Sequence, residues 1–449
     1  MAGTNRPLAN RILLGLVIGA AAGAATLALS AVLPAFRLPF ADEPRPLIEY
    51  AQAFSTAVLD PLGQIFLRLL FFVVIPLVFA SLASGVAQLG RLDRLGPLAG
   101  RTFSLFFLNM TIGVGLGLLM MNVVQPGNFL GGDAQTRLMA EFGGAAQRHV
   151  QTQAAQPEIG FMTLVDMFMP RNLFGAFVGN NRGALGEVLP LILFAILVGA
   201  AGTLLADPKR QKLLEGLELV TQLMTGIVNF ALRLAPYAVP AMIYSVVVKI
   251  GLGIILSLGV FVIGCAGVML LHMFGTMSVF LKLWSRRSPA QFFRDIKAVL
   301  ITAFSTSSSN ATLPASIECA RDTLKVRPST AGFVLPLGAT MNMSGTALYE
   351  GCVVLFIAQV LGVELTFVQQ ITLLIFSVLS AVAVAGIPGG SLPLIAGLLS
   401  SFGVEPTGIG LILGVDRILD MTRTMVNVGC DLVTTAIVDE QVRDDTPRQ

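Results

Sequence analysis

Charge is what this sequence has least of. Of 449 residues only 12% are Asp, Glu, Lys or Arg, against about 25% in a typical soluble domain. Some 55% are apolar and the mean hydropathy is +0.80, which excludes an ordinary water-soluble fold. Histidine is nearly missing. His149 and His272 are the only two, so a multi-His metal centre is excluded. Cys265, Cys319, Cys352 and Cys430 lie in or beside apolar runs with no CxxC spacing, which argues against a disulfide framework or a zinc site. No basic tract exists and the net charge is only +3, so nothing points to nucleic acid as a partner.

What is present is a series of long apolar runs. Ile12–Leu33 gives 22 consecutive uncharged residues, well beyond the roughly 10 residues of a barrel strand. The chain therefore reads as an all-α polytopic membrane protein embedded in a lipid bilayer. Arg6 and Arg11 precede the first run, as in a signal peptide, but the run is too long for a typical h-region and further spans follow; an uncleaved helix is expected. Apolar helices read at about 11–34, 48–87, 101–124, 165–204, 213–247 and 251–283. Basic residues cluster between them at Arg91, Arg94 and Arg101, at Lys209, Arg210 and Lys212, and at Lys282, Arg286, Arg287, Arg294 and Lys297. By the positive-inside rule these segments are cytoplasmic. Both termini are expected on that side of the cell membrane, with the polar stretch Gln125–Thr163 opposite.

The last 150 residues differ. An apolar segment at about 291–323 is interrupted by Ser305-Thr306-Ser307-Ser308-Ser309-Asn310, then Thr312 and Pro314. A second, at about 367–402, is interrupted by Ala385-Gly386-Ile387-Pro388-Gly389-Gly390-Ser391. Each precedes a helix with a polar centre, at about 328–360 and 405–438. Paired interrupted segments in corresponding halves point to a transporter site built from inverted repeats, since non-helical backbone at membrane depth survives only in protein or along a wet cavity. In the last helix Asp416, Asp420, Arg423, Asn427 and Asp431 fall within an arc of about 80° at 100° per residue. A charge at the bilayer centre costs at least ~2.5 kcal/mol, so this face must turn inward, toward something charged.

These motifs carry a specific resemblance. Ser307-Ser308-Ser309-Asn310-Ala311-Thr312-Leu313-Pro314, Asn342-Met343-Ser344-Gly345-Thr346, Gly386-Ile387-Pro388-Gly389 and the series from Asp416 to Asp431 resemble, in order and spacing, the glutamate/aspartate transporter family, the dicarboxylate/amino acid:cation symporters. The resemblance covers about 300–435, and the Arg-rich, Lys-poor basic set agrees with a prokaryotic member. It implies eight transmembrane helices plus two re-entrant hairpins, a homotrimer and an elevator mechanism. Residues 1–250 would be mainly scaffold, with the helix at 101–124 joining a transport domain at 251–440.

The resemblance also implies roles. Arg423 would grip the side-chain carboxylate of an acidic amino acid; otherwise it forms an internal ion pair with Asp420 or Asp416, and the two states can alternate. Asp420 would receive the α-ammonium, which favours aspartate or glutamate over succinate or malate. Thr424 and Asn427 would frame the α-carboxylate, Thr346 would offer a hydroxyl, and Ser309 and the backbone at Ile387 would close the pocket. Na+ is the expected cation, with H+ as an alternative. A first site would use Gly338, Asn342, Asn427 and Asp431, since hard cations take oxygen ligands. A second would use Thr340, the Met343 thioether and the backbone at Ala381, Val382 and Val384.

The sequence departs from the family at a third cation site. Its aspartate is replaced by Ser344, and its third-helix ligands by Phe106, Asn109 and Met110. Sodium coupling is therefore expected to be reduced, altered or absent. The positions where some relatives carry a further arginine hold Ser307 and Met421. A C4-dicarboxylate or neutral amino acid carrier and a proton-coupled symporter are alternatives within the family. An ion channel would also carry midplane polar residues, but a compact mixed-charge site suits occlusion better than a pore. An intramembrane serine protease is excluded, since His272 has no partner suggested by spacing.

Overall fold

The computed structural model describes residues 5–37, 43–88, 96–130, 169, 171–178, 188–384, 391–404 and 406–444. Among them there is no strand, only one isolated bridge between Phe36 and Arg45. The helices are α1 (Asn5–Val32), α2 (Leu47–Phe54), α3 (Asp60–Phe71), α4 (Val74–Gln88), α5 (Gly96–Val124), α6 (Leu173–Val178), α7 (Val188–Thr203), α8 (Asp207–Ile250) and α9 (Gly253–Leu271). Then follow α10 (Met277–Trp284), α11 (Pro289–Asp295), α12 (Lys297–Thr306), α13 (Ser309–Glu318), α14 (Pro328–Met341), α15 (Ser344–Val360), α16 (Phe367–Ala383), α17 (Leu392–Ser401) and α18 (Leu413–Asp444). Single π turns join several of them, at Ser55–Leu59, His272–Thr276 and Cys319–Thr323.

Five helices among the described residues are long and apolar enough to cross a membrane: Leu14–Val32, Leu98–Phe129, Arg233–Ile250, Gly253–Trp284 and Pro328–Val360. The first is 17% buried and the last 94%, which separates a peripheral span from a central one. On α1, Leu14, Val17 and Ile18 face outward. Gly15 and Gly19 face α8 so closely that a Cβ at Gly19 would lie 2.5 Å from the Pro240 carbonyl oxygen. Small residues at such crossings let backbones approach where lipid offers no hydrophobic drive for association.

Helices α1, α3, α4, α7 and α8 pack on one another, and α5, α9 and α12–α18 form a second cluster around α15 and α18. Lys249 Nζ and Ser245 Oγ both meet the Asp60 carboxylate, at 2.7 and 2.6 Å, tying α8 to α3. At the far end of α18, Glu440 bonds Arg287 at 2.7 Å, and the buried Asp439 takes Arg327 at 2.8 Å and Thr330 at 2.9 Å. Nearby, Trp284 packs edge-on to Phe280, ring centres 4.6 Å apart. It lines a cleft of about 430 Å³ with Arg101, Leu105 and Gln441.

Several expected boundaries move. The run at 48–87 divides at Phe72–Val73, and the last helix continues six residues past 438. The first hairpin breaks only at Ser307–Ser308, not across Ser305–Asn310: Ser307 adopts a left-handed conformation (φ 52°) and Ser308 caps α13, accepting from Ala311 N at 3.2 Å. The helix expected at 328–360 is interrupted at Asn342–Met343. Residues 385–390, including Ile387 and the surrounding glycines, lie outside the described residues, as do 131–163 and the basic pair Arg91 and Arg94.

Candidate functional site

The polar face of α18 does turn inward. Asp420, Arg423, Asn427 and Asp431 are each 3% exposed. Asp420, Arg423 and Asn427 line a cavity with Ser307 and Ser309 at the tip of the first hairpin, Met343 and Thr346 at the break between α14 and α15, and Val384 and Ser391 flanking the second tip. Thr424 completes the wall. The space enclosed is about 10 Å³, roughly what one water molecule needs.

Arg423 is the centre of charge. Its Nε and Nη2 donate to Asp420 Oδ1 at 3.0 and 2.7 Å, and Nη1 donates to Ser391 Oγ at 2.5 Å. Asp416 Oδ1 lies 3.6 Å from Nη1 and accepts from the Tyr349 hydroxyl at 2.7 Å. The guanidinium carbon sits 4.8 Å from the centre of the Tyr349 ring, within cation–π range. Asp420 is held by a second guanidinium as well, Arg417 Nη1 at 3.2 Å. The internal ion pair is thus the arrangement present here, and two carboxylates balance two guanidiniums.

Asn427 acts on the neighbouring helix. Its Oδ1 accepts from Gly345 N at 2.7 Å and Thr346 N at 3.3 Å, while Nδ2 donates to Thr346 Oγ1 at 3.1 Å and reaches Met343 Sδ at 3.5 Å. The first amides of a helix have no partner within it, so Asn427 caps α15 from across the site. Close approach permits this: a Cβ on Gly345 would lie 2.6 Å from the Arg423 carbonyl oxygen. Thr424 turns its hydroxyl back to the Asp420 carbonyl at 2.8 Å.

Asp431 lies two turns from Arg423, against α14. Asn342 Nδ2 donates to its Oδ1 at 2.8 Å. A Cβ on Gly338 would fall 2.4 Å from the same oxygen, so only glycine leaves this cradle open. Of the first expected cation site, Gly338, Asn342 and Asp431 lie together, with the Gly338 carbonyl accepting from Asn342 N at 2.9 Å, while Asn427 bonds Gly345 and Thr346 instead; a carboxylate is the ligand type a hard cation takes. Of the second, Met343 and Val384 reach the shared cavity. Thr340 bonds the Leu337 carbonyl on its own helix at 2.9 Å, and Ala381 and Val382 are buried nearby in the first arm of the second hairpin. At the third, Phe106, Asn109, Met110 and Ser344 are all buried, and the Asn109 amide donates to Asn342 Oδ1 at 2.9 Å. No group of three or more His, Cys, Asp or Glu side chains gathers among the described residues.

Sequence reasoning missed Tyr349, Arg417, Ser391 and Glu350. Tyr349 sits one turn beyond Thr346 and Arg417 one turn before Asp420, and that spacing was the available signal. Glu350 is fully buried and neither oxygen reaches a hydrogen-bond partner among the described residues; Ser380 is its polar neighbour. His272, without a partner by spacing, meets Asn109 Oδ1 at 2.8 Å, not a serine.

A family model described as the sodium:dicarboxylate symporter family matches residues 8–441. The proton/sodium-glutamate symport protein of Bacillus caldotenax is 32% identical over 384 residues, covering 85% of this chain and 87% of that protein. The proton/sodium-glutamate symport protein of Bacillus subtilis is 33% identical over 387 residues, covering 85% and 86%. The proton/glutamate-aspartate symporter of Escherichia coli is 30% identical over 372 residues, covering 83% and 82%.

Proposed function

Since the chain belongs to the sodium:dicarboxylate symporter family, a family of multi-pass membrane carriers and not of enzymes, we propose that it is a secondary transporter of glutamate or aspartate driven by a cation gradient. The observation that carries this is Arg423, buried at a cavity between the two hairpins with Asp420 and Asp416 beside it. A planar guanidinium binds a carboxylate bidentately. The substrate's side-chain carboxylate takes Arg423, and Asp420, released from that bond, receives the α-ammonium. Asn427 and Thr424 frame the α-carboxylate, Thr346 adds a hydroxyl, and Ser309 and the tip around Ile387 close over it. The relatives named for glutamate and aspartate symport support the same substrate class.

A cavity of about 10 Å³ admits no amino acid, so a wall must move. The second hairpin, glycine-rich beside Ser391, is the moving wall. The loaded transport domain, 251–440 with the helix at 101–124, then crosses against a scaffold of the remaining helices, in a homotrimer with cytoplasmic termini. Na+ is a co-substrate held by Gly338, Asn342, Asn427 and Asp431, with a second ion at Thr340, Met343 and the backbone of Ala381–Val384. Coupling follows because Asn427 touches both the substrate cavity and the α14–α15 break; reciprocal coupling of this kind is typically ~1–3 kcal/mol. The third site is lost. Glu350 is the group suited to carry a proton instead: a wholly buried carboxylate, next in sequence to Tyr349, with neither oxygen within hydrogen-bond reach of a described residue.

The test is uptake into proteoliposomes of glutamate, aspartate, succinate and serine, with a sodium gradient, a proton gradient or neither. Glutamate or aspartate should be preferred. Arg423→Ala should weaken acidic substrates at least ~30-fold, as expected for losing one partner of a buried charge pair. Glu350→Gln should abolish any response to the proton gradient. Wild-type aspartate uptake by the Arg423 variant refutes the reading.

A further inference from the structure

Outside the substrate cavity, four buried polar side chains from four separate segments form a single file. His272 Nε2 lies 2.8 Å from Asn109 Oδ1, Asn109 Nδ2 lies 2.9 Å from Asn342 Oδ1, and Asn342 Nδ2 lies 2.8 Å from Asp431 Oδ1. His272, Asn109 and Asn342 are wholly buried and Asp431 is 3% exposed. His272 opens the π turn His272–Thr276 between α9 and α10; such turns inside helices are frequent at functional sites. Gly113 on α5 makes room for the ring, since a Cβ there would lie 3.2 Å from Nε2.

The file has a direction. In the ionised form a cation calls for, Asp431 only accepts hydrogen bonds. Asn342 must then turn its NH2 toward Asp431, which leaves its carbonyl oxygen for Asn109. Asn109 in turn presents its NH2 to that oxygen and its own oxygen to His272. Only an Nε2–H answers it. The carboxylate at one end thus fixes the tautomer of the imidazole at the other, and the imidazole fixes the sense of both amides. His272 Nδ1 has no partner among the described residues, so no competing bond sets the ring.

We propose that His272 is a positioning residue for the cation site at Asp431, acting through Asn109 and Asn342. The inference rests on the reading of Asp431 as a cation ligand. Without the donor at 272, Asn109 is free to invert, Asn342 can follow, and its carbonyl then faces the Asp431 carboxylate.

Two measurements on the purified full-length protein test this. The first is the shift of the thermal midpoint with sodium, without substrate, for wild type, His272→Leu and His272→Gln. His272→Leu should raise the half-saturating sodium concentration at least about fivefold, while His272→Gln, whose amide can donate, should stay within about twofold. The second is the 15N spectrum of the imidazole in a His149→Gln background, which leaves His272 as the sole histidine. It should report Nε2 protonated and Nδ1 bare, and Asp431→Asn should mix the two tautomers. A sodium response of wild-type size in His272→Leu overturns the inference alone. A wild type indifferent to sodium overturns the cation reading and this role with it. Should His272→Leu fail to fold, an Nδ1–H tautomer in the otherwise native protein overturns the file by itself.

Discussion

Arg423 is held on several sides: two bonds to Asp420, one to Ser391, Asp416 at 3.6 Å and the Tyr349 ring beneath. A buried guanidinium left bare costs several kcal/mol, and these partners remove that cost. Asp420 is then doubly used, as counter-ion and as the proposed ammonium receptor. Asp420→Ser leaves Arg417 and Arg423 with one carboxylate fewer, so competition binding should move at least ~10-fold toward diacids lacking an amine, the factor that about 1.4 kcal/mol produces. An unchanged order of preference would remove Asp420 from substrate choice. The α18 residues were legible because they share one helix and one period. Tyr349 and Ser391 sit on other elements, 74 and 32 residues before Arg423, and no local pattern ties them to it.

The first hairpin and the last helix were legible as elements, because a run of serines inside an apolar segment has few explanations at membrane depth; the tip expected at 385–390 lies outside the described residues. The break at Asn342–Met343 was not legible. Nothing in Asn-Met-Ser-Gly stops a helix as Pro would; the interruption is completed from outside, when Asn427 takes the amides of Gly345 and Thr346. Tertiary caps leave no trace in the capped segment. The pairing of α14 with α18 was implied by the family resemblance, but how tightly they approach is read from coordinates. Gly338→Ala should push the Asp431 carboxylate aside, because the added carbon would stand 2.4 Å from Oδ1, far inside normal contact. Calorimetric sodium affinity should fall more than about tenfold, equivalent to 1.4 kcal/mol; a full-strength site in that variant would exclude Gly338 from the cation cradle.

At the scale of the molecule, α8 is 44 residues long, about 66 Å at 1.5 Å per residue. That is twice a bilayer core of ~30 Å. Within it Arg233–Ile250 is apolar enough by itself to span, and the charged residues Asp207, Lys209, Arg210 and Lys212 all lie in its first two turns. The proposed loss of the third cation site would act at the scale of the whole carrier, since the number of coupled ions sets how much gradient energy a cycle can use. A log–log plot of glutamate affinity against sodium should have a slope no greater than about two, one ion for each remaining site in the linkage relation. A slope near three would mean that Ser344 and Asn109 do not abolish the site.

Trp284 is the chain's single tryptophan, and it borders Gln441, ten residues beyond Asp431, about 15 Å along the helix axis at 1.5 Å per residue. The ultraviolet emission of the native molecule therefore originates at one corner, where α5, α10 and the end of α18 meet. Such a built-in lamp is placed to register that corner opening or sliding, and shares no lining residue with the cavity at Arg423.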